Sequence, residues 1–593
     1  MLFVALAVDF DGTLAHNGRV DDVGIAALEK VKRSGRKVLL VTGRELAELQ
    51  QTFSRIEIFD LVVAENGALL FDPAQNKEEL LSPPPVDRLV KHLRDRNVAP
   101  LSVGRSIVAT WEPYETIVLE AIRDLGLELH IIFNKGAVMV LPADVNKASG
   151  LRAALKRLAL SPHNVVAIGD AENDQAFLSA CGCAVAVANA LPSVKEKADF
   201  VVADHSAGVA ELAEILTGTG LAGRNTRLSK IQPVVGEYAD GGLYRLTPVD
   251  TVLVTGSSGG GKSTVVTALL EQMIEADLQF CVVDPEGDYE GFPAVVVGDA
   301  KHEPRIAEIM DLLAKPDTSV VINLLAIDPD ERPRYLAGLL PELSKLRIET
   351  GRPHWIVLDE AHHCLPARWD PAPVSLPQEL PAAIAVTVHP EEVSIDFLKL
   401  VTTVVGVGGQ ANAMIEKFWT ARGDVSSDVR DRPDAEQGLI WTSTEGLRSI
   451  ALKRPEARQK RHIRKYAEGE LGEDKSFYFR GPEGALNLRA QNLAIFLQLA
   501  EGVDDETWMH HLRSGEYSQW FDQAIKDQNM ATEARRIEQD SALSAQETRS
   551  QIKKLVESKY TAPATHCAVD LLRSDSLTRA PGSASRRSAS LRK

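Results

Sequence analysis

The stretch Leu2 to Leu14, "LFVALAVDFDGTL", decides the fold of the opening part of the chain. Its apolar run is a buried strand that ends in Asp9 and Asp11, two carboxylates that the two-residue period of a strand points the same way. Gly12 and Thr13 form the turn beyond it. In open α/β sheets ligands bind outside the carboxyl ends of the strands, so these acids stand where a site would be built. Taken alone, the pair reads equally well as a solvated strand end.

Outward from this strand, short apolar segments alternate with amphipathic helical segments as far as about residue 216: Lys37 to Val41, Leu61 to Val63 and Val165 to Ile168 are the next strands. That rhythm predicts a doubly wound parallel sheet. Between Pro83 and Leu141 the order changes to helix, strand, helix and two closely spaced strands, read as a small inserted cap. "LLVTGR" puts Thr42 at a strand end, "PADVNKASGL" supplies Lys147, and "VVAIGDAENDQAF" ends a strand with Asp170, Asn173 and Asp174.

Together with the paired acids, these elements resemble the motifs of the haloacid dehalogenase superfamily. "VAENGALL" and "AVANALPSVKEKADFVV" look like its type IIB, Cof-like branch. The resemblance implies a Mg²⁺-dependent phosphatase. Asp9 would be the nucleophile that forms an aspartyl-phosphate. Asp11 would be the general acid and base. Thr42 and Lys147 would hold the phosphoryl oxygens. Asp9, the Asp11 carbonyl, Asp170 and Asp174 would form the metal site. Gly43 and Arg44 read as shaping the turn and its exit helix. The cap is similar to the compact caps of sugar-phosphate and phosphoglycolate phosphatases, which implies a small phosphorylated metabolite as substrate. Arg105, Trp111, Glu112 and His130 are cap residues that could face the site, or could equally be ordinary surface and packing residues.

"TGTGLAGRN" at Thr217 to Asn225 reads as a linker to a second α/β domain. There "GSSGGGKST" follows an apolar strand and precedes a helix-forming run, matching the P-loop pattern. Gly256, Gly259, Gly260 and Gly261 would let backbone N–H groups face ATP phosphates, with Lys262 on the β- and γ-phosphates and Ser263 and Thr264 closing the motif, Ser263 on Mg²⁺. "HWIVLDEAHH" looks like a Walker B element, with Asp359 on the metal and Glu360 polarising water. "CVVDPEGDYEGF", with Asp284, Glu286 and Tyr289, and "AIAVTVHPEEVS", with Thr387, resemble HerA- and FtsK-type ATPases. His389 stands where their glutamine usually does, which places turnover in question. Such ATPases often form rings, so a homo-oligomer through this domain is expected, with Arg422 one candidate for an arginine offered to a neighbour.

The expected fold class is therefore α/β multidomain: a Rossmann-like sheet with a small α+β cap over residues 1–216 (cap about 83–141), a P-loop NTPase domain over 225–455, and a mainly helical region over 456–560. Trp508, Leu512, Tyr517, Trp520 and Phe521 are spaced as a helix-pair core, and the adjacent His510 and His511 make no chelating pair. The Ser- and Arg-rich tail, 561–593, is expected to be disordered.

Composition bounds these readings. At 593 residues, about three or four folded units are expected. A formal charge of −17 disfavours nucleic acid as the first partner. Cys181, Cys183, Cys281, Cys364 and Cys567 are scattered without zinc or disulfide spacing, and no apolar run reaches the roughly 18 residues of a membrane span. A cytoplasmic protein without a membrane partner is expected. The leading function is a phosphatase joined to an ATP-binding module of regulatory or assembly role. The rivals are a HerA-like nucleic-acid motor or defence ATPase whose phosphatase domain acts on nucleic-acid ends, and an ATP-binding switch without turnover.

Overall fold

The computed structural model describes residues 2–134, 136–289, 291–368, 379–424, 438–455, 471, 475–484, 486–525 and 527–560. The basic tail lies outside them. The chain divides into two compact units, Met1–Glu456 and Ala457–Lys593.

The first unit opens with β1 (Ala5–Asp9), β2 (Lys37–Val41), β3 (Leu61–Ala64), β4 (Leu69–Asp72) and β5 (Lys77–Leu80). The inserted cap contributes β6 (Ser102–Val103), β7 (Val108–Trp111), β8 (Leu129–Asn134) and β9 (Ala137–Pro142). The first sheet resumes with β10 (Val165–Gly169), β11 (Cys183–Val187) and β12 (Phe200–Val202). Its order is β12-β11-β10-β1-β2-β3-β4-β5, parallel from β12 to β3 and antiparallel beyond. β1 lies between β10 and β2, so three strand ends converge where the acids are. The cap is a separate sheet, β6-β7-β9-β8, covered by the helices Asp87–Asp95 and Glu115–Asp124 through Leu89, Leu93, Val118 and Ala121. Its order is the expected one, with the short β6 added.

The second sheet contains β13 (Val234–Glu237), β14 (Leu243–Arg245), β15 (Thr251–Gly256), β16 (Phe280–Asp284), β17 (Val295–Val297), β18 (Val320–Asn323), β19 (Trp355–Leu358), β20 (Ala383–Thr387), β21 (Thr403–Val407), β22 (Gly438–Thr442) and β23 (Gly446–Leu452). It runs β14-β13-β23-β22-β21-β15-β20-β19-β16-β18-β17. β15, which feeds the P-loop, is central and parallel to both neighbours.

The two sheets are not separated by a hinge. One hydrophobic core runs from Phe3 through Val254 and Trp355 to Ile450. Within the Gly-rich stretch and just after it, Leu221 and Leu228 are buried, and Leu228 N–H donates to the Gly182 carbonyl. A polar knot crosses the junction. The Asn164 amide donates to the Leu2 and Gly351 carbonyls at 2.8 and 3.3 Å, and Arg352 donates to the Ala159 carbonyl at 2.7 Å. His354 Nδ1 accepts from the Gln279 N–H, which puts its proton on Nε2, 3.1 Å from Asn164 Oδ1.

Burial, with His163, Arg352 and Arg347 nearby, holds His354 well below the usual histidine pKa. The unfolded chain takes up this proton near pH 6.5 and the folded chain does not, so stability falls as pH drops below that point. We expect a loss of about 1 kcal/mol from this one group between pH 6.5 and 5.5, steepening below that, read as a falling denaturation midpoint. His354→Gln should flatten the slope; an unchanged slope would refute the assignment.

The second unit holds β24 (Phe477–Phe479) paired antiparallel with β25 (Leu488–Ala490), followed by helices Leu493–Gly502, Asp505–Arg513, Glu516–Gln523, Gln528–Gln539 and Ala545–Tyr560. Trp508, Leu512, Tyr517, Trp520 and Phe521 are its buried centre, as their spacing predicts. His511 is buried as an acceptor for the Arg480 and Gly481 N–H groups, a packing role. No helix among the described residues is long and apolar enough to cross a membrane.

Candidate active site

Asp9 is the last residue of β1, level with Val41 of β2, and Thr42 and Asp170 each follow the end of a flanking strand. Lys147 comes from a different element. Asn146 caps the helix Lys147–Arg157, accepting from the Ala148 and Ser149 N–H groups, while the Ser149 hydroxyl bonds back to the Asn146 N–H. This fixes Lys147 as the first helical residue, where the helix dipole disfavours a cation. The carboxylates around it supply the compensation: its Nζ lies 2.5 Å from Asp9 Oδ1 and 2.6 Å from Asp174 Oδ1, all three side chains being buried.

Among the described residues, Asp9, Asp170 and Asp174 form a cluster with one carboxylate oxygen from each within 4.8 Å of the others. Asp174 Oδ2 accepts from the Asp170 and Ala171 N–H groups, both at 2.9 Å, and the Thr13 hydroxyl donates to Asp170 Oδ1 at 3.2 Å. Three carboxylates against one ammonium leave a buried excess of negative charge that a divalent cation would fit. Burial, then Asp174, push the Asp9 carboxyl well above the usual range, with Lys147 opposing them. Burial also works against the charge on Lys147, but Asp174 and Asp9 outweigh it and its pKa rises.

Asp11 departs from Asp9. Its side chain is partly exposed and is gripped by Arg44, with Nε to Oδ2 at 2.6 Å and Nη2 to Oδ1 at 2.7 Å. Arg44, expected to shape a turn, lines the site instead; its Nη1 also holds Glu48 at 2.8 Å. Thr42 is buried, its hydroxyl accepting from the Arg44 N–H. Over these residues a cavity of about 350 Å³ opens beneath the cap, whose share of the lining includes Ile107, Ala137, Met139 and Trp111. Of the cap candidates only Trp111 lines it; Arg105 is exposed and pairs with Glu78.

Glu65 lies in the "VAENGALL" motif, which by itself assigns it no role. It is buried, and its carboxylate accepts from the Arg105, Ser106 and Ile107 N–H groups at 2.9, 2.8 and 3.3 Å, which ties the cap to the first sheet. Glu65 and Asn66 both have positive φ, and a Cβ on Gly67 would stand 2.0 Å from the Asn146 carbonyl oxygen. Only glycine lets this turn pack against the start of the Lys147 helix.

In the second sheet, Gly256, Thr387 and Asp359 stand at the carboxyl ends of three adjacent parallel strands, β15, β20 and β19. Gly259 and Gly261 take φ of 72° and 102°, and Lys262 begins the helix Lys262–Glu275. Its Nζ donates to the Gly256 and Ser257 carbonyls at 3.1 Å. Gly260 lies within this turn, Ser263 is exposed, and Thr264 is partly buried. Asp359 is buried, and Glu360 takes a left-handed backbone with Oε2 3.6 Å from His362 Nδ1. His362 Nδ1 also lies 3.0 Å from the Thr387 hydroxyl, with the His389 ring 5.4 Å from its own. Burial, then His363 and His389, push His362 down to about 4, so its ring is neutral at pH 7.

Asp284 is spent on its own turn, accepting from the Glu286 and Tyr289 N–H groups, and Tyr289 is core. Arg422 lies against Phe418 and Trp441 of its own chain.

A family model for haloacid dehalogenase-like hydrolases matches residues 6–111 and 116–212, and one for the central domain of helicase HerA matches 251–349. The latter match ends before Asp359. A phosphoglycolate phosphatase of Methanothermobacter thermautotrophicus is 33% identical over 230 residues, covering 36% of this chain and 99% of that protein. Those of Methanobrevibacter smithii and Sulfolobus acidocaldarius are 29% and 30% identical, covering 35% and 36% of this chain and 97% and 96% of theirs. The chain belongs to the haloacid dehalogenase-like hydrolases, with a HerA-like domain joined to it.

Proposed function

We propose that the first site hydrolyses a small phosphorylated metabolite through an aspartyl-phosphate, and that the HerA-like domain binds ATP to regulate or assemble the enzyme. The observation that carries the first part is the buried cluster of Asp9, Asp170 and Asp174 around Lys147 beneath the cap cavity. An Asp9 oxygen attacks phosphorus as the bond to the ester oxygen breaks, and Asp11 protonates the departing alkoxide. Asp11 then takes a proton from water as that water attacks phosphorus, releasing phosphate and restoring Asp9. Lys147 and Thr42 hold the phosphoryl oxygens and Arg44 positions Asp11. Asp9, the Asp11 carbonyl, Asp170 and Asp174 would hold Mg²⁺, which would supply positive charge between carboxylate and phosphoryl group.

The test is phosphate release from a panel of small phosphate esters, sugar phosphates and phosphoglycolate included, with Mg²⁺ present. No release from any of them would sink the reading. Lys262→Ala should keep phosphate release within about threefold while removing ATP turnover or binding, since its ammonium serves only the second site. Mg²⁺ at about 100 times its Kd should stabilise the unit by about 2.7 kcal/mol, seen as a raised melting midpoint. Asp170→Asn should abolish that rise; an undiminished rise would place the metal elsewhere.

The HerA likeness favours one second reading, an ATP-driven module acting on nucleic acid. ATP hydrolysis stimulated by DNA, with a steep salt dependence, would support it, and DNA-independent turnover would count against it.

A further inference from the structure

The alcohol half of the substrate would occupy the cavity beneath the cap, and the charges around that cavity are one-sided. Asp9, Asp11, Glu45 and Glu48 line it, whereas among the described residues its lining cations are Arg44 and Lys147. Both cations are engaged. Arg44 holds Asp11 through two nitrogens and Glu48 through a third, and Lys147 lies between Asp9 and Asp174. Lys147 belongs to the phosphoryl end. Two further carboxylates, Glu45 and Glu48, belong to the lining; Glu48 shares Arg44 with Asp11, and Glu45 Oε1 accepts a hydrogen bond from the cap hydroxyl of Ser102. The Trp111 ring, half exposed, is part of the same lining.

A second anionic group on the substrate would meet like charge here, and like-charge juxtaposition is an effective rejecting element. An ammonium group would meet the Glu45 carboxylate, Glu48 as shared with Arg44, and an aromatic face, each of which attracts a cation. We propose that the preferred substrate is a phosphate monoester whose alcohol half bears an ammonium group, as in an amino alcohol or amino sugar phosphate, with Glu45 and Glu48 as the residues that select it. This rests on the phosphatase reading above.

The experiment compares kcat/KM on the full-length enzyme with Mg²⁺ for two pairs: phosphoethanolamine against phosphoglycolate, alike in carbon count and opposite in charge, and glucosamine 6-phosphate against glucose 6-phosphate. p-Nitrophenyl phosphate serves as a reporter of the chemistry alone. The ammonium-bearing member should lead by about fivefold, the upper ratio a single partly screened ion pair supports. Glu45→Gln, which retains an acceptor for Ser102, should bring the ratios toward one by slowing the ammonium substrates more than their partners. Glu48→Gln should do the same. Because ratios are read, loss of folded protein does not imitate the effect. Equal or better turnover of phosphoglycolate and glucose 6-phosphate, with the reporter hydrolysed, overturns the inference and leaves the phosphatase reading intact. If the reporter and all four esters are inert, the phosphatase reading fails and the inference fails with it.

Discussion

Asp9→Asn should lower phosphate release from organic esters by on the order of 10⁴-fold or more, the scale of losing a covalent nucleophile. ATP turnover at the second site should stay within about twofold, because the two sites share no residue. An amide nitrogen or oxygen does not attack phosphorus at neutral pH, and Asp11, the other carboxylate just past β1, has both oxygens held by Arg44. Misfolding is a poor alternative explanation: burial already disfavours the charge on Asp9, and the substitution removes that charge at nearly constant volume. Initial rates for both reactions on one preparation, with a melting curve, decide the matter. Residual hydrolysis above about one per cent of the wild type would show that Asp9 is not the nucleophile.

Lys147→Met is the second large effect, and it should appear in stability as well as rate. The ammonium is the cation that the structure places between Asp9 and Asp174. Removing one partner of a buried ionic group typically destabilises by about 3–5 kcal/mol, since the remaining charges are left uncompensated. In metal-free buffer the melting midpoint should fall accordingly, and Mg²⁺ should restore more of it than it adds to the wild type, because it then neutralises carboxylates that have lost their counter-charge. Phosphate release should drop by about 10²-fold or more even with Mg²⁺, through the lost contact to the phosphoryl oxygens. A variant as stable as the wild type without metal would mean that the carboxylates are already neutral, and would remove the electrostatic basis of the site.

Much of this site is legible in the sequence for a definite reason. Parallel strands in register end at one edge, so Asp9, Thr42 and Asp170 converge as soon as their segments are recognised as neighbouring strands. The P-loop, Asp359 and Thr387 converge by the same rule. What escaped lacks a local pattern. Arg44 reads as a turn residue because its partner, Asp11, belongs to another strand's exit. Glu65 is unreadable because its partners are backbone N–H groups, which any sequence would supply. Lys147 rests on motif alone until the Asn146 cap shows what holds it. The stretch from Thr217 to Asn225 has the composition of a linker, yet Leu221 is buried within it and Leu228 shortly after it. Gly and Thr content does not report which rare apolar residue is buried. β24 and β25 are too short to interrupt a helical reading.

The polar knot at Asn164 and His354 has a mechanical meaning. Asn164 directly precedes β10, which leads to Asp170, and His354 directly precedes β19, which leads to Asp359. The strands that present the two sets of acids are thus pinned at their roots to one another. The covalent and hydrogen-bonded path between the two sets of acids is therefore two short strands and one side-chain contact, with no free tether in it.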